Sequence, residues 1–554
     1  MPQFENVFYE IAALLALAAV VGAIGNALRQ PLIVAFIAAG ILVGPSGFEW
    51  VAASDQVDLF AKMGIALLLF VVGLKLDLHI IRTLGPVALA TGLGQVLFTS
   101  VVGYIIAILL GMTPVTALYV AVALTFSSTI IIVKLLSDKK EIDALHGRIA
   151  LGFLIVQDIV VVLVMIGLTA FGVGAEAESG QFGLQMLEVL AKGVAMLVIV
   201  ALLMRYILPA LTHHLARSSE LLVLFAIAWA VLLASIGDAL GFSKEVGAFL
   251  AGVSLASTPY RESIGARLVG LRDFLLLFFF IDLGAGLELS TLGDQLGAAI
   301  VLSLFVLIGN PLIVMIIMGA MGYRKRTGFL AGLTVAQISE FSLILVALGM
   351  TLGHVDSSTV GLVTLVGLIT ISGSTYMILY SQVLYETLAR WMGIFERRHP
   401  YREGAYDVAV EGNEDVIVLG LGRYGRQVSQ VLQQRGHQVL GVDFDPETVR
   451  TLQRDGYVVR YGDAEDPEFI GSLPLSTTSW IISTARERQI NMALLQGLKQ
   501  HGYKNRVAVT AHSVDDAELL RQAGADLVLL PFADAAEQAA DRLLNMEKTA
   551  STTS

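Results

Sequence analysis

The 554-residue chain contains no cysteine and little charge, because Asp, Glu, Lys and Arg together make up only 15% of it. The absence of cysteine excludes disulfides, thiolate metal sites and thiol redox chemistry. A formal net charge of −11 leaves no basic footprint for nucleic acid. What the chain has instead is hydrophobic residues, at 56%, and a mean hydropathy of +0.75. These values lie far outside the range of soluble globular proteins and indicate a polytopic membrane protein.

The hydrophobic residues are unevenly distributed along the chain. The long apolar runs end near Arg390, and a mixed polar sequence follows. We therefore predict a transmembrane domain over residues 1–395, a linker over 396–412 and a soluble domain over 413–549. The N-terminus lacks a basic region and a small-residue cleavage site, so we expect the first apolar segment to remain as a membrane helix.

Apolar runs of about 20 residues, the length that crosses the hydrocarbon core of a bilayer, recur along the first region. With two shorter runs included, the predicted spans lie at about 6–26, 31–44, 57–76, 85–111, 114–136, 149–171, 184–212, 219–237, 246–258, 270–289, 296–321, 328–352 and 358–389. Lys and Arg concentrate in alternate loops, and the other loops carry only Lys244. Because basic loops face the cytoplasm, thirteen spans place the N-terminus outside and the soluble domain in the cytoplasm.

Two predicted spans are interrupted by polar side chains. The fifth contains "LTFSSTIII", with the candidate ion ligands Thr125, Ser127, Ser128 and Thr129, and the twelfth contains "LTVAQISEFSLILV", with Gln337 and Glu340. Ser and Thr side chains support an unwound turn, which membranes tolerate only where it lines a cavity or is buried in protein. Because the two spans are seven apart, they run in opposite directions, as in inverted repeats whose broken helices meet at a midplane site. The alternative is a static bundle in which these hydroxyls only bond across helices.

Gln157 and Asp158 lie side by side near the middle of the sixth span, in "LIVQDIVVVLVM". An ionised carboxylate at that depth costs about 3 kcal/mol or more, which suggests a function. A carboxyl group exposed in turn to each side of the membrane can carry a proton or, when ionised, hold a desolvated monovalent cation. The neighbouring oxygens that would complete such a site belong to Gln157, Thr125, Ser127, Ser128 and Thr129. A buried Asp that is always protonated or paired is the alternative.

Glu340 lies in the second interrupted span. Its carboxylate either steers cations toward the Asp158 site or pairs with a basic residue, and the sequence does not decide between these roles.

The soluble region begins with a strand, a glycine-rich turn and a helix. Gly420, Gly422 and Gly425 form a GxGxxG pattern, and Asp443 ends the second predicted strand about 20 residues later. Gly420 would make the turn, Gly422 would let a phosphate approach the backbone, and Gly425 would allow close helix packing. The phosphate would rest on the helix N-terminus beside Arg423.

Asp443 would accept hydrogen bonds from ribose hydroxyls and repel a 2′-phosphate, which favours NAD(H) or an adenine mononucleotide such as AMP or ATP over NADP. Tyr424, Asp463, Ala464 and Thr484, which lie in the turn or follow the third and fourth predicted strands, complete the candidate nucleotide site. We recognise no substrate domain for hydride transfer, so we expect a sensor and not an enzyme. An empty Rossmann-like scaffold is the alternative.

Seven segments, taken in order, resemble one family. They are "RQPLIVAFIAAGILVGP", "LLLFVVGLKLDL", "ALTFSSTIIIVKLL", "LIVQDIVVV", "EVGAFLAGVSLA", "QISEFSLIL" and "VIVLGLGRYG". The chain resembles Kef-type potassium/proton antiporters of the monovalent cation:proton antiporter-2 group, which carry a C-terminal RCK (KTN) domain similar to TrkA-N. The resemblance implies a polytopic α-helical membrane fold of the NhaA and NapA kind, with inverted repeats and two crossed broken helices, followed by a Rossmann-like α/β domain.

The resemblance also implies a homodimer, an elevator-like movement, and Asp158 as the shared carrier of ion and proton. It implies that Gln157 stands where electrogenic relatives carry a second carboxylate, and we therefore expect electroneutral K⁺/H⁺ exchange that serves potassium efflux. The expected setting is a bacterial inner membrane, where lipids and an ancillary regulatory subunit are candidate partners.

Three other functions remain open at this stage. Na⁺/H⁺ exchange would use the same fold, because oxygen ligands alone do not reveal the size of a cation site. A potassium channel gated by the same soluble domain would need a carbonyl filter such as TVGYG, which the sequence lacks. A membrane-bound dehydrogenase would need a site for a hydride acceptor, which we do not recognise.

Overall fold

The computed structural model describes residues 7–44, 47, 55–75, 85–139, 141–142, 144–175, 192, 195–196, 198–240, 242–287, 289–397, 414–464 and 467–551. The chain forms two compact units. The helical unit comprises residues 1–142, 146–321 and 325–395, and the α/β unit comprises 143–145, 322–324 and 396–554.

In the described residues, the helical unit is built of helices. They are α1 Val7–Ala27, α2 Leu32–Val43, α3 Asp55–Lys75, α4 Gly85–Leu109, α5 Pro114–Ala123, α6 Thr129–Asp138, α7 Leu145–Ala175, α8 Leu208–Leu215, α9 Ser219–Ala239, α10 Lys244–Ala256, α11 Arg261–Ala285, α12 Leu289–Leu304, α13 Asn310–Ala320, α14 Lys325–Leu333, α15 Glu340–Thr351, α16 Ser357–Leu379 and α17 Ser381–Met392. Over the part of the chain that the structure describes, 8 helices are long and apolar enough to cross a membrane. A described helical segment lies at each of the thirteen predicted runs, and the number that spans the bilayer stays a prediction.

Two of the predicted spans have the wrong limits. The run predicted over 358–389 is interrupted at Tyr380, where the backbone leaves helical geometry with φ −104 and ψ 23, so that α16 and α17 are separate helices. The run predicted near 270–289 begins earlier, at Arg261, because its first turns carry charged residues that hydropathy excludes but a helix accepts. Apolar content therefore indicated the presence of these segments more reliably than their ends.

The two interrupted helices predicted from the sequence are confirmed. Helices α5 and α6 are separated by a first break at 124–128, and α14 and α15 by a second break at 334–339. Each second half begins on a serine cap: Ser128 Oγ accepts a hydrogen bond from Ile131 N at 3.3 Å, and Ser339 forms a capping box with Ser342. The breaks therefore occur where local side chains satisfy helix-end backbone groups.

The halves of the two broken helices cross each other. Helix α5 packs against α15, and the ring of Tyr119 lies so close to Gly349 that a β-carbon there would be 2.5 Å from it. The Tyr119 hydroxyl also lies 2.8 Å from His354 Nδ1, just beyond the end of α15. A glycine in α15 thus permits the close approach of the Tyr119 ring on α5.

A π-helical turn, Phe305–Gly309, joins α12 to α13. Pro311 follows it and has no N–H to donate, so a regular α-helical ladder cannot continue through this point. Asn310, the first residue of α13, is fully buried.

The α/β unit is built on a six-stranded parallel sheet of order β3-β2-β1-β4-β5-β6. The strands are β1 Val416–Leu419, β2 Val439–Asp443, β3 Val459–Tyr461, β4 Trp480–Ser483, β5 Arg506–Thr510 and β6 Leu527–Leu529. The helices are α18 Arg423–Gln434, α19 Pro446–Arg454, α20 Pro467–Gly471, α21 Arg488–Gln500, α22 Val514–Gln522 and α23 Pro531–Ser551. This strand order reverses between β1 and β4, the crevice in which Rossmann-like domains bind nucleotides.

Candidate functional site

The first break is held open by side-chain amides from three different helices. Gln95 of α4, Gln157 of α7 and Asn310 of α13 each bind one backbone group that the break has removed from the helical ladder. The bonds run from Ser127 N to Gln157 Oε1 at 3.1 Å, from Gln95 Nε2 to Thr125 O at 3.2 Å, and from Asn310 Nδ2 to Leu124 O at 3.3 Å. Each amide therefore replaces a backbone partner that an unbroken helix would supply.

The same amides also bind one another. Gln157 binds Gln95 directly, and Gln95 is linked to Asn310 through Thr99. Gln157 Nε2 donates to Gln95 Oε1 at 2.7 Å, Gln95 Nε2 donates to Thr99 Oγ1 at 3.1 Å, and Thr99 Oγ1 donates to Asn310 Oδ1 at 2.7 Å. We call Gln95, Thr99, Gln157 and Asn310 the amide network. Its members are at most 1% exposed and carry no charge. Buried polar groups cost less when they are hydrogen-bonded, and each amide nitrogen and oxygen of the network has at least one partner.

Asp158 lies next to the network, on α7, and is partly exposed. Thr129 Oγ1, in the first residue of α6, donates a hydrogen bond to Asp158 Oδ2 at 3.0 Å. The carboxylate is thereby held beside a helix N-terminus, where the helix dipole favours negative charge. The structure thus places Asp158 beside the first break.

The other predicted ligands differ in how free their oxygens are. Thr125 Oγ1 donates to Val122 O at 2.7 Å, and Ser128 Oγ caps α6. Gln157 Oε1 accepts from Ser127 N and Gln157 Nε2 donates to Gln95, so the amide oxygen already has a partner. By contrast, Ser127 Oγ is buried and has no hydrogen-bond partner among the described residues. Among the candidate ligands, Ser127 thus has the hydroxyl with the fewest hydrogen bonds to the described residues.

Side chains also support the second break. Gln337 Oε1 accepts from Ser374 Oγ at 2.6 Å, and Ile338 N donates to Thr370 Oγ1 at 3.3 Å. Gln337 Nε2 is buried without a partner in the described part of the chain. Glu340, at 2% exposure, accepts from Ser339 Oγ at 3.3 Å. The polar side chains of the second interrupted span therefore line its break, as those of the first do.

A cavity of about 470 Å³ lies within the helical unit and reaches Glu340. Apolar side chains make up most of its wall, and its charged lining residues are Arg29, Lys134, Asp138, Asp273 and Glu340. Both amide atoms of Gln30, which also lines it, are buried without a partner in the described residues. We call this space the charged cavity. It is large enough for hydrated ions and offers them three carboxylates.

Within the described ranges, no group of three or more His, Asp or Glu side chains is placed to hold a metal ion. Beside the first break, the described oxygens are those of the Asp158 carboxylate and of neutral hydroxyl, amide and carbonyl groups, which are ligands that hard cations accept.

The glycine-rich turn of the α/β unit has the geometry that GxGxxG predicts. Gly420 has φ +86, a left-handed value that glycine adopts without strain. A β-carbon on Gly425 would collide with the carbonyl oxygen of Gly420, whereas one on Gly422 would meet nothing within 4 Å. Gly425 thus permits α18 to pack closely on the turn, and Gly422 leaves open space beside the backbone.

Asp443 lies at the end of β2 and spans the turn. Its Oδ2 accepts from Leu421 N at 2.6 Å and its Oδ1 accepts from Asp445 N at 2.8 Å. Burial, and secondarily the charge of Asp445, raise the pKa of Asp443 above its usual value despite these hydrogen bonds. The carboxylate is therefore fixed in orientation, and each oxygen keeps a further lone pair for a ligand.

The remaining predicted nucleotide residues surround this turn. Thr484 Oγ1, just after β4, donates to Gly420 O at 2.6 Å across the switch point. Arg423 is exposed in the first turn of α18, while Tyr424 is half-buried, and burial followed by the charge of Asp534 raises its pKa. Asp463 and Ala464 are half-buried beyond β3. The structure therefore brings Gly420, Asp443 and Thr484 together at one edge of the sheet.

Sequence reasoning missed four residues that organise the two sites. Gln95 and Thr99 are i,i+4 neighbours on α4, and Asn310 precedes a proline. The signal in the sequence was that each is a polar residue in an apolar run. In the α/β unit, Asn491 is fully buried. It accepts from Ser483 Oγ at 2.6 Å and donates to Ala485 O at 3.0 Å and Thr510 O at 2.9 Å, which fixes the loop after β4.

Two family models match the chain. The model described as sodium/hydrogen exchanger, transmembrane, matches residues 14–379, and the TrkA-N domain model matches residues 416–531. The chain is 27% identical over 500 residues to the glutathione-regulated potassium-efflux system protein KefC of Escherichia coli, covering 89% of this chain and 78% of KefC. It is 30% identical over 332 residues to K(+) efflux antiporter 4 of Arabidopsis thaliana, covering 59% of this chain and 56% of that protein.

Among solved structures, the sodium proton antiporter MjNhaP1 from Methanocaldococcus jannaschii aligns with 70% of this chain and 98% of its own. The sequence identity of that pair is 15% and its TM-score is 0.47.

Proposed function

The chain belongs to the sodium/hydrogen exchanger family, and on that premise we propose that this multi-pass membrane protein exchanges a monovalent cation for a proton at Asp158. The observation that carries the proposal is the bond from Thr129 Oγ1 to Asp158 Oδ2 at the N-terminus of α6. Protonated, the carboxyl is neutral and holds no cation. Ionised, it can hold a desolvated cation with the Thr129 and Ser127 hydroxyl oxygens. Because both ions compete for one group, each must leave before the other binds.

We propose K⁺ as the cation, since the two most informative relatives are named as potassium-efflux proteins. Na⁺ is the competing substrate, because the same oxygens can serve either ion. Reconstituted protein should dissipate an imposed pH gradient when K⁺ is added, with a lower half-saturating concentration for K⁺ than for Na⁺. A preference for Na⁺ would reassign the substrate and leave the exchange mechanism intact.

The charged cavity is proposed as the cytoplasmic approach to the site. Arg29 and Asp138 lie at ends of α1 and α6 that the Lys and Arg bias assigns to the cytoplasm. Asp138, Asp273 and Glu340 would raise the local concentration of cations. Glu340 is thus assigned a steering role, and Gln337 supports the second break beside it.

Electroneutral exchange is proposed because Gln157 is uncharged and none of the amide network residues carries charge. Gln157→Asp should add a second carboxylate beside Asp158 and make transport move net charge. Solid-supported membrane electrophysiology should then record no current for the wild type and a cation-dependent current for Gln157→Asp. Gln157→Asn is the matched control, because it is equally shortened and remains uncharged. A current in the wild type would contradict electroneutrality.

A channel-like protein is the main rival from another class. It would carry cation current without proton movement, so simultaneous recording of current and of internal pH separates the two. We favour exchange because the second half of the first interrupted helix begins at a titratable group, whereas a channel filter requires rings of carbonyls. Hydride transfer has no support, since the matched relatives are named as antiporters or efflux systems.

We propose that the chain has two functional domains. Residues 1–395 form the exchanger domain and 413–549 the nucleotide-binding domain, joined by 396–412. The protein works as a homodimer in the lipid of a bacterial inner membrane, with its N-terminus outside and the nucleotide-binding domain in the cytoplasm, and moves its site by an elevator mechanism. An ancillary regulatory subunit is a further candidate partner.

The α/β unit is proposed to bind an adenine nucleotide, AMP, ATP or NAD(H), as a regulator of exchange. The residues fit such a ligand, because the open backbone at Gly422 and the N-terminus of α18 would receive phosphate and Arg423 would neutralise it. Asp443 would accept bonds from ribose hydroxyls. Tyr424, Asp463, Ala464 and Thr484 would enclose the rest, with Thr484 holding the turn in shape.

Nucleotide affinity should depend on the ionisation of Asp443. Only the carboxylate accepts from both ribose hydroxyls, and its raised pKa makes it take up a proton at a higher pH than an ordinary Asp does. Calorimetry on the full-length protein should therefore show affinity falling as the pH is lowered from neutral, with the fall beginning at a higher pH than an ordinary Asp would cause. In Asp443→Asn, affinity should be about tenfold weaker at neutral pH and should no longer change with pH. An unchanged affinity in this variant would remove Asp443 from the ligand site.

A further inference from the structure

We propose that Gln95 is a positioning residue for exchange, whose amide holds the first break in register with the helix that carries Asp158. The inference rests on the proposed function of Asp158. The hydrogen bonds of Gln95 go to Thr125 O, Thr99 and Gln157, and not to the Asp158 carboxylate or to the Thr129 and Ser127 hydroxyls proposed to hold the cation.

Gln95 is the member of the amide network that connects Gln157 to Thr99 and to the first break. Its amide donates to Thr125 O at 3.2 Å and to Thr99 Oγ1 at 3.1 Å, and its Oε1 accepts from Gln157 Nε2 at 2.7 Å. Both N–H donors are therefore used, together with one acceptor lone pair. Since the side chain is fully buried, water cannot replace a lost partner without opening the structure.

The bonds of Gln95 join the first break to the helix that carries Asp158. One bond from Gln95 reaches the backbone at Thr125, in the break, and another reaches Gln157, the residue before Asp158. Gln157 in turn accepts from Ser127 N. The carbonyl and hydroxyl oxygens of the break and the carboxylate of α7 are thus fixed relative to one another by a glutamine on a third helix, α4.

The extension toward α13 explains why a glutamine is needed. Thr99 passes the connection on to Asn310, which holds Leu124 O. A carboxylate at position 95 would lack the two donors, and an ammonium would lack the acceptor and add a charge. Only an amide of this length satisfies an acceptor on the break, an acceptor on α4 and a donor on α7 while the site stays neutral.

Removal of the amide should loosen the ligand geometry and leave the carrier group in place. Gln95→Met keeps side-chain length and apolar volume but leaves Thr125 O and Gln157 Nε2 without partners. We expect the half-saturating cation concentration to rise about tenfold, in line with the loss of buried hydrogen bonds. The maximal exchange rate should stay within about twofold, because Asp158 still titrates and still moves with α7.

Thr91→Val is the matched control. Thr91 lies one turn before Gln95 on the same buried face of α4, and its hydroxyl has no hydrogen-bond partner among the described residues. The replacement is isosteric, so a general effect of altering this helix face would appear in it. We expect its half-saturating concentration to equal that of the wild type.

The experiment measures cation-driven proton movement in proteoliposomes over a series of cation concentrations. A second arm combines Gln95→Met with Gln157→Met. Because either change alone already breaks the bond between the two amides, the double variant should raise half-saturation by less than the product of the single effects. Wild-type half-saturation in Gln95→Met, an equal shift in Thr91→Val, or fully multiplicative effects in the double variant would each overturn the proposal.

If Gln95→Met does not fold, Gln95→Glu carries the test, since it keeps the acceptor for Gln157 but loses amide donors. A raised half-saturation supports the positioning role and a wild-type value overturns it. The carrier assignment is tested separately, because Asp158→Asn with undiminished exchange would remove the proposed function whatever Gln95 does.

Discussion

Asp158→Asn is expected to abolish cation-driven proton movement, a fall of about a hundredfold or more toward the leak of protein-free liposomes. The amide cannot release a proton and cannot hold a cation by charge, although it has nearly the same shape. Because Thr129 Oγ1 can still donate to the remaining side-chain oxygen, the break should keep its geometry. The loss is measured in proteoliposomes by dequenching of a dye that reports the pH gradient. Several cation concentrations are used so that weak binding is not mistaken for inactivity.

Asp282→Asn is the matched control for this experiment. Asp282 is another partly exposed carboxylate within an apolar helix, α11, and lies outside both breaks. Its replacement should leave at least half of the wild-type rate if the loss in Asp158→Asn reflects carrier chemistry. Exchange that persists in Asp158→Asn would mean that another group carries the proton. Asp158→Glu should retain partial exchange, because it preserves a titrating group at a changed distance.

The sequence was sufficient to locate the two breaks, and the reason is local. Ser128 and Ser339 stand in runs that are otherwise largely apolar, and their side chains cap helices within three residues of their own positions. Capping is a short-range interaction, so capping residues can be recognised from a short window of sequence. The same holds for Gly420, whose left-handed backbone follows from the turn that GxGxxG requires.

The amide network could not be assembled from the sequence, because its bonds are long-range. Thr99 and Asn310 are 211 residues apart, and Gln95 and Gln157 are 62 apart. Each is a single polar residue in an apolar run, a pattern that also fits an isolated interhelical hydrogen bond. The role expected for Gln157 shows the consequence: it was considered as a cation ligand, yet the structure gives its amide to the backbone of the break.

The limits of α17 show a different weakness of hydropathy. The residues after Tyr380 are apolar enough to extend a predicted span, but α17 also carries Glu386 and Arg390 and is separated from α16. A helix with charged residues on one side suits the surface of a membrane better than its interior. Hydropathy averages over a window and therefore joins two helices that a single non-helical residue divides.

A second large effect is expected from Gly425→Ala in the α/β unit. The added β-carbon would collide with the carbonyl oxygen of Gly420, which is backbone and cannot move without opening the turn. We expect the free energy of unfolding of this unit to fall by about 3 kcal/mol, the upper range for overpacking. Nucleotide binding should be lost as well. Hydrogen exchange of peptides covering β1, measured by mass spectrometry on the full-length protein, reports the local destabilisation.

Gly422→Ala separates the two consequences. Its added β-carbon would meet nothing within 4 Å and its backbone is not left-handed, so the fold and the exchange protection of β1 should be unchanged. If a phosphate approaches the backbone there, the same methyl group should weaken nucleotide binding about tenfold or more. Loss of binding in both variants with destabilisation only in Gly425→Ala would support a nucleotide site at this turn. Normal nucleotide affinity in Gly422→Ala would place the ligand elsewhere, because an open backbone position that tolerates a methyl group is not in contact with phosphate.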